Sequence, residues 1–263
     1  MITSVSNQRV KRITALVQKS RLRSEQDVFV IEGEKMFLEA PTERILEVYV
    51  SEHADLVEKT RQKLDQLPTG VCETVTDEVF ARMSDTRTPQ GILCVIRQFH
   101  YDKKKLLSDQ NALFVLLENL QDPGNLGTIL RTAEGAGVTA VIMSRGTVDI
   151  YNPKTIRATM GSVYRVPFWY EEDLIAAMGE MRAAGIHIYA AHLRGDHSYT
   201  QEDYTGPTAF VIGNEGAGLT DSCADAAGKY IRIPMKGQLE SLNAGVATAL
   251  LLYEADRQRN EWI

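Results

Sequence analysis

The chain has 263 residues, enough for one or two domains at roughly 150 residues per domain, and its 44% of hydrophobic residues can form a core. It has no run of 18 apolar residues and no apolar segment near the N-terminus, which excludes a transmembrane helix and a secretory signal peptide. Three scattered cysteines form no CxxC pair, which excludes a zinc ribbon and a disulfide scaffold and favours a cytoplasmic protein.

The formal net charge of −6 argues against nucleic acid, but the charges are unevenly distributed. Residues 1–24 contain six basic side chains and no acidic one, so the rest of the chain carries −12. A basic arm of this kind binds phosphate by releasing counterions, although a solvated helix face explains the same pattern. The candidate RNA-binding residues are Arg9, Lys11 and Arg12.

Residues 1–97 predict a small α/β domain in which strands and helices alternate. Ser6 is the predicted cap of a first helix, with Val10, Ile13, Leu16 and Val17 on its apolar face. The predicted strands are 28–31, 45–50, 71–75 and 91–96, and the predicted further helices are 34–40, 52–66 and 77–83.

Residues 98–111 are polar and include three consecutive lysines, Lys103, Lys104 and Lys105, which predicts a linker. Residues 112–263 predict a second α/β domain, because continuous apolar runs such as 112–117 are typical of buried parallel strands. The other predicted strands are 140–143, 186–190, 209–212 and 230–233, and the predicted helices are 125–137, 174–184 and 242–259.

Three loops, residues 118–127, 213–218 and 233–243, follow strands of this second domain. Ligands of open α/β sheets bind at the carboxyl ends of the strands, so these loops predict a ligand site. The second loop has GxxGxG spacing rather than GxGxxG, which disfavours a dinucleotide, and the chain lacks a P-loop. The loops and the helix that follows the first one offer five polar candidates for chemistry: Asn125, Arg131, Glu215, Ser241 and Asn243.

None of the five is a nucleophile with a neighbouring base, which favours transfer of a group from a bound donor over covalent catalysis. Arg131 is suited to gripping a phosphodiester with its planar guanidinium, and Glu215 is suited to orienting it. The histidines His53, His100, His187, His192 and His197 lie outside the three loops without metal-ligand spacing, and are interpreted as structural or exposed.

The three loops resemble motifs 1, 2 and 3 of the SpoU/TrmH family of RNA ribose 2′-O-methyltransferases, in the SPOUT class. The matching segments are 125–133, 210–219 and 231–243, within a resemblance that covers about 112–259. The resemblance implies a deep trefoil knot around a parallel sheet, and a homodimer with its site near the interface. It also implies S-adenosylmethionine bound at Gly213, Ile233 and Leu242, and a catalytic set of Asn125, Arg131, Glu215, Ser241 and Asn243.

The chain departs from the family at Ala244 and Gly245, where many members have Val and Ser. Residues 6–11 and 29–33 resemble the substrate-binding domain of the ribosomal-RNA branch, which has a fold like ribosomal protein L30e. This resemblance implies an enzyme that methylates 23S rRNA. The three loops contain no carboxylate or His/Cys cluster, so we expect no metal ion, and we expect no membrane partner. The alternatives are a tRNA ribose 2′-O-methyltransferase, a non-catalytic RNA-binding protein of the same fold, and a nucleotide-dependent oxidoreductase.

Overall fold

The computed structural model describes residues 1–239 and 241–260. Two compact units make up the chain: Met1–Phe99 with Asp149–Tyr164 form the first, and His100–Val148 with the residues from Arg165 onward form the second. The helices are α1 (Gln8–Gln18), α2 (Ser20–Gln26), α3 (Glu34–Glu39), α4 (Glu58–Asp65), α5 (Asp77–Met83), α6 (Lys103–Leu107), α7 (Pro123–Gly135), α8 (Pro153–Thr159), α9 (Leu174–Ala183), α10 (Asp221–Ala227) and α11 (Ala244–Arg259). The strands are β1 (Val28–Glu32), β2 (Ile45–Ser51), β3 (Cys72–Val75), β4 (Ile92–Arg97), β5 (Leu113–Leu117), β6 (Ala140–Ser144), β7 (Phe168–Glu171), β8 (His187–Ala191), β9 (His197–Ser198), β10 (Thr208–Ile212) and β11 (Lys229–Arg232).

The first unit is built on a four-stranded sheet of order β1-β4-β2-β3, in which β2 and β3 are parallel and the other pairs antiparallel. The predicted apolar face of α1 is confirmed, since Val10, Ile13 and Leu16 are fully buried in a core cluster that also contains residues of α5. The cap is Asn7 rather than the predicted Ser6, because the Asn7 side chain accepts a hydrogen bond from the Arg9 N–H at 2.8 Å.

The helix predicted over 52–66 is shorter in the structure and begins at Glu58. Val57 is extended, and its N–H donates to Oε2 of Glu34 at 2.8 Å. A side chain from a distant part of the sequence therefore holds the backbone outside the helix at this point, which apolar periodicity does not reveal.

The second unit contains a seven-stranded sheet of order β7-β6-β5-β10-β8-β11-β9. Every neighbouring pair is parallel, as the continuous apolar runs predict, and β5 and β10 are buried along their whole length. This arrangement brings the carboxyl ends of β5, β10 and β11 to one edge. Among the described helices, none combines the length and apolarity that crossing a membrane requires.

Two segments differ from the sequence-based organisation. Residues 98–111, predicted as a linker, contain α6, whose Leu106 and Leu107 pack against the core of the second unit. Residues 149–164 belong to the first compact unit, although the sequence analysis places them within one domain spanning 112–263. Contacts with α2 and β1 of the first unit explain this membership.

Arg23 provides the polar part of those contacts. Its side chain is only 4% exposed, and its guanidinium forms an ion pair with Asp149. The same group donates to the backbone carbonyls of Leu16 at 2.6 Å and Val17 at 3.1 Å. The Tyr151 ring stacks on Phe29 with a centroid separation of 4.5 Å. Arg23 is therefore a structural cation and not part of a phosphate-binding arm.

Replacing Asp149 with alanine leaves the Arg23 guanidinium buried without its counter-charge. We expect Asp149→Ala to lower the free energy of unfolding by about 3 kcal/mol, measured by urea denaturation with circular dichroism. The control is Glu25→Ala, which removes the partner of Arg21 from an exposed pair and costs about 0.5 kcal/mol or less. Equal losses in the two variants would contradict a structural role for the buried pair.

Candidate active site

The carboxylate of Glu215 joins two of the three predicted loops. Its Oε1 accepts hydrogen bonds from Nδ2 of Asn125 at 3.0 Å and from the Asp122 N–H at 2.9 Å, and its Oε2 accepts from the Gln121 N–H at 3.0 Å. The Asn125 Oδ1 in turn accepts from Nδ2 of Asn243 at 2.8 Å, which adds the third loop. The structure thus brings Asn125, Glu215 and Asn243 together in one hydrogen-bonded chain.

Electrostatics favour the ionised form of Glu215. Burial by itself raises the pKa of this carboxyl, but the hydrogen bonds from Asn125 and from the Gln121 and Asp122 N–H groups outweigh it and hold the pKa below its usual value. The carboxylate is therefore charged at neutral pH. The stabilisation that it gives to the loops is lost as the pH falls through this lowered pKa.

The loop after β10 closes tightly on itself. Asn214 and Gly218 exchange two backbone hydrogen bonds of 3.0 and 2.9 Å, and the Asn214 Oδ1 accepts from the N–H groups of Gly216 and Ala217. A Cβ on Gly213 would lie 2.2 Å from the backbone carbon of Gly218. Only glycine permits this close approach of two backbone segments.

Glu118, the residue that follows β5, stabilises the segment at the end of the same loop. Its carboxylate accepts from the N–H of Thr220 at 2.7 Å and from the Thr220 hydroxyl at 2.6 Å, and Thr220 caps α10. Burial and the Glu118 charge raise the pKa of the Cys223 thiol to about 12. Cys223 is therefore a protonated thiol at neutral pH and not a nucleophile.

A cavity of about 270 Å³ lies beside this chain of hydrogen bonds. The three predicted cofactor-binding residues, Gly213, Ile233 and Leu242, all line it, and so does Ser241. Among the described residues Ser241 forms no side-chain hydrogen bond. The cavity walls combine backbone of the second and third loops with apolar side chains, a surface that fits a flat, partly apolar ligand with polar edges.

Arg131 lies apart from the Glu215 cluster. It is exposed on α7, and no hydrogen bond or ion pair joins it to another described residue. Among the described residues the expected contact between Arg131 and Glu215 is not made, and the Glu215 carboxylate instead accepts from the loop N–H groups and from Asn125. Six helical positions also turn Arg131 about 120° away from Asn125.

The three candidate RNA-binding residues differ in their surroundings. Arg9 forms an ion pair with Glu73 at 3.4 Å, and Arg12 contacts both Glu47 and Gln26. Lys11 is exposed, and in the described part of the chain its ammonium has no partner. Convergent metal-ligating side chains occur in residues 1–239 and 241–260 at one place, the exposed group Glu52, His53 and Asp77 of the first unit.

Among the cavity-lining residues that the sequence analysis did not single out is a histidine, His192, which follows β8. The signal was available in its position, since β8 is one of the buried strands and His192 lies just beyond its carboxyl end. The hydrogen bonds between Glu118 and Thr220 could not be predicted from a local sequence pattern, because the two residues are 102 positions apart.

The parallel sheet, the cavity at its carboxyl edge and the backbone-rich loops define the class: an α/β protein with a small-molecule site built by three strand-end loops. The sequence profile of the SpoU rRNA Methylase family matches residues 112–253, and that of the MRM3-like substrate binding domain matches residues 7–94. The chain therefore belongs to the SpoU rRNA methylase family.

Relatives are similar over nearly the whole chain. The 23S rRNA (guanosine(2553)-2′-O)-methyltransferase RlmP of Bacillus subtilis is 34% identical over 96% of this chain and 97% of its own length. The AdoMet-bound rRNA methyltransferase of Sinorhizobium meliloti superposes with a TM-score of 0.84 at 34% identity, covering 97% of each chain. The SpoU methyltransferase AviRb of Streptomyces viridochromogenes, in complex with AdoMet, has a TM-score of 0.86 at 26% identity, covering 96% of this chain and 98% of its own.

The glycines of the loop after β10 allow a matched test. We expect Gly213→Ala to cost about 1–3 kcal/mol or more, since its Cβ meets backbone that has no room to move, and each kcal/mol lowers the Tm by about 2–4 °C. Gly216→Ala is the control, because the nearest atom to its Cβ is a side-chain oxygen at 3.6 Å. A thermal melt in which both variants match the wild type would show that the loop does not need this close approach.

Proposed function

We propose that the protein transfers a methyl group from S-adenosylmethionine to a ribose 2′-hydroxyl of RNA, and that its substrate is 23S rRNA. The observation that carries the proposal is the hydrogen-bonded chain of Asn243, Asn125 and Glu215 beside the cavity lined by Gly213, Ile233 and Leu242. RlmP, similar across both units of this chain, is named for a 2′-O-methylation of 23S rRNA, and two solved relatives hold AdoMet.

The residues of the cavity fit the cofactor. The close approach at Gly213 leaves backbone groups as polar partners, and Ile233 and Leu242 offer apolar surface to an adenine ring. When bound, S-adenosylmethionine supplies an electrophilic methyl group on a sulfonium. No metal ion is part of the proposal.

Arg131 has the central role in the proposed chemistry. Its guanidinium clamps the RNA phosphate and the 2′-oxygen and stabilises the negative charge that develops there. A guanidinium with a pKa above about 12 is a poor base, so phosphate or water takes the hydroxyl proton. The chain of Asn125, Glu215 and Asn243 holds the loops in place, and Ser241 lines the acceptor side.

The proposal includes a homodimer. Val246, Leu250 and Tyr253 are exposed on α11 and border a cavity of about 480 Å³ that Thr128 and Thr132 of α7 also line. Arg131 lies on α7 next to this apolar surface. A second copy packed here covers the apolar side chains and brings Arg131 to the edge of a site, which explains its separation from Glu215 within one chain.

The finer features of the fold are also proposals. A trefoil knot in the second unit is proposed on the basis of the match to the SpoU rRNA Methylase family over residues 112–253. The match to a substrate-binding domain over 7–94 supports an L30e-like first domain that holds the RNA, with 1–97, 98–111 and 112–263 as the functional divisions. A cytoplasmic location is part of the proposal, since the proposed substrate is ribosomal RNA.

Activity on a 23S rRNA fragment and on tRNA, with the methylated ribose mapped, tests the substrate. We expect methylation of the rRNA fragment alone. Methylation of tRNA only would support the tRNA alternative. Cofactor binding with RNA binding but no transfer would support a non-catalytic module. Calorimetric binding of NAD in place of S-adenosylhomocysteine would support the oxidoreductase.

Arg131→Lys keeps the positive charge but removes the planar guanidinium, whose paired N–H donors bind two oxygens at once. We expect a loss of about 10²-fold or more in single-turnover methylation, by analogy with the removal of one preorganised oxyanion donor, and unchanged calorimetric affinity for the cofactor. Arg182→Lys on α9 is the matched control and retains full activity. Near-wild-type turnover of Arg131→Ala would remove Arg131 from the mechanism.

Salt dependence tests the basic arm. Each lost phosphate contact flattens the log–log slope of RNA affinity against salt by ~0.7–0.9. We expect that decrease for Lys11→Gln, and a smaller decrease per residue for Arg9→Gln and Arg12→Gln, whose charges already face carboxylates. Replacement of Lys103, Lys104 and Lys105 by glutamine is the control. An unchanged slope in all arm variants would assign these charges to a solvated helix face.

A further inference from the structure

His192 is held in the wall of the cofactor cavity by contacts on two sides. Its N–H donates to the Ile231 carbonyl at 2.9 Å, which fixes the backbone to β11. Its ring meets the Tyr230 ring edge-on with a centroid separation of 5.5 Å. The histidine therefore has a defined position beside Gly213 and Leu242, with which it shares the cavity.

A hydrogen bond to one ring nitrogen determines the tautomer of the neutral His192 side chain. Nδ1 lies 3.1 Å from the Arg194 N and accepts from it, so the neutral ring carries its proton on Nε2. In the described part of the chain Nε2 has no hydrogen-bond partner. By contrast, the loops already occupy the side chains of Asn214 and Glu215. His192 is thus a neutral donor available to a ligand.

The charges around the ring favour its neutral form. Burial and the Arg194 guanidinium lower the pKa of His192, and they outweigh Asp221 and Asp225, which raise it. Arg194 pairs with Asp221, and the Tyr230 hydroxyl donates to Asp225. The titratable and charged groups near the ring or in the same cavity are Arg194, Glu215, Asp221, Asp225, Tyr230 and Arg232.

We propose that His192 binds the cofactor, donating from Nε2 to an oxygen or nitrogen acceptor of S-adenosylmethionine. The inference rests on the proposed function and adds a specificity-determining residue to it. A neutral donor suits this ligand because the sulfonium carries a positive charge, which an imidazolium at the same position repels. Protonation of His192 therefore weakens binding of S-adenosylmethionine more than binding of S-adenosylhomocysteine, whose thioether is uncharged.

Calorimetry of the full chain with both ligands tests this role in three variants. His192→Leu removes the donor, and we expect about 3- to 10-fold weaker binding of S-adenosylhomocysteine. His192→Asn retains a neutral donor and restores affinity to within about twofold of the wild type. His187→Asn, an exposed histidine at the other end of β8, is the control and binds as the wild type does.

The dependence of cofactor affinity on pH distinguishes a hydrogen-bonding role of His192 from a packing role, because a packing role does not change with pH. Wild-type affinity for S-adenosylmethionine falls as the pH falls through the lowered pKa of His192, and His192→Asn does not show this fall. 5′-Methylthioadenosine, which lacks the amino-acid part, locates the acceptor: if His192→Leu weakens its binding too, the acceptor is in the adenosine part, and otherwise in the methionyl part.

The two proposals fail in different ways. A wild-type protein that binds none of the three ligands overturns the proposed function. If the wild-type protein binds the ligands, and His192→Asn and His192→Leu match it in affinity and in pH profile, then only the role of His192 is overturned. If His192→Leu does not fold, the comparison of the wild type and His192→Asn across pH decides.

Discussion

The carboxylate of Glu215 is the interaction on which the candidate site depends. It accepts hydrogen bonds from two N–H groups of the loop after β5 and from the amide of Asn125, so it links residues that are 90 or more positions away in the chain. Three hydrogen-bond donors stabilise the ionised form of the carboxylate, and they are the reason why the pKa of Glu215 is lowered. Within one chain Glu215 links the loops, and among the described residues no hydrogen bond or ion pair joins it to Arg131.

The proposed reaction has two sides, a cavity side that binds the cofactor and an acceptor side that binds the RNA. The cavity side combines backbone, glycine and apolar side chains with a few polar ones such as His192 and Ser241, and the closed loop from Gly213 to Gly218 forms part of its wall. In the proposed reaction the acceptor side depends on Arg131, an exposed cation on α7, whose Thr128 and Thr132 line an apolar surface. An exposed cation that has no carboxylate partner among the described residues suits RNA binding, because the phosphate supplies the counter-charge.

Large parts of this fold follow from local patterns in the sequence. The continuous apolar runs predict the buried parallel strands, and the glycine-containing loops after them predict the site, since strand direction alone places their ends at one edge. The elements that were missed depend on distant partners. Val57 is kept out of α4 by Glu34, and residues 149–164 join the first unit through Arg23 and Phe29. His192 was set aside because it lacks metal-ligand spacing, although its place after a buried strand was the relevant signal.

The charge pattern near the N-terminus shows why a count of cations overstates a phosphate-binding surface. Of the six basic residues before position 24, Arg23 is buried with Asp149, and Arg9, Arg12 and Arg21 each face a carboxylate. Lys11 and Lys19 are exposed and have no ion pair among the described residues. A paired guanidinium must give up its carboxylate before it binds phosphate, and the cost of that exchange reduces the gain from counterion release. We therefore expect the electrostatic contribution of this segment to RNA binding to depend on its two unpaired lysines more than on its formal charge.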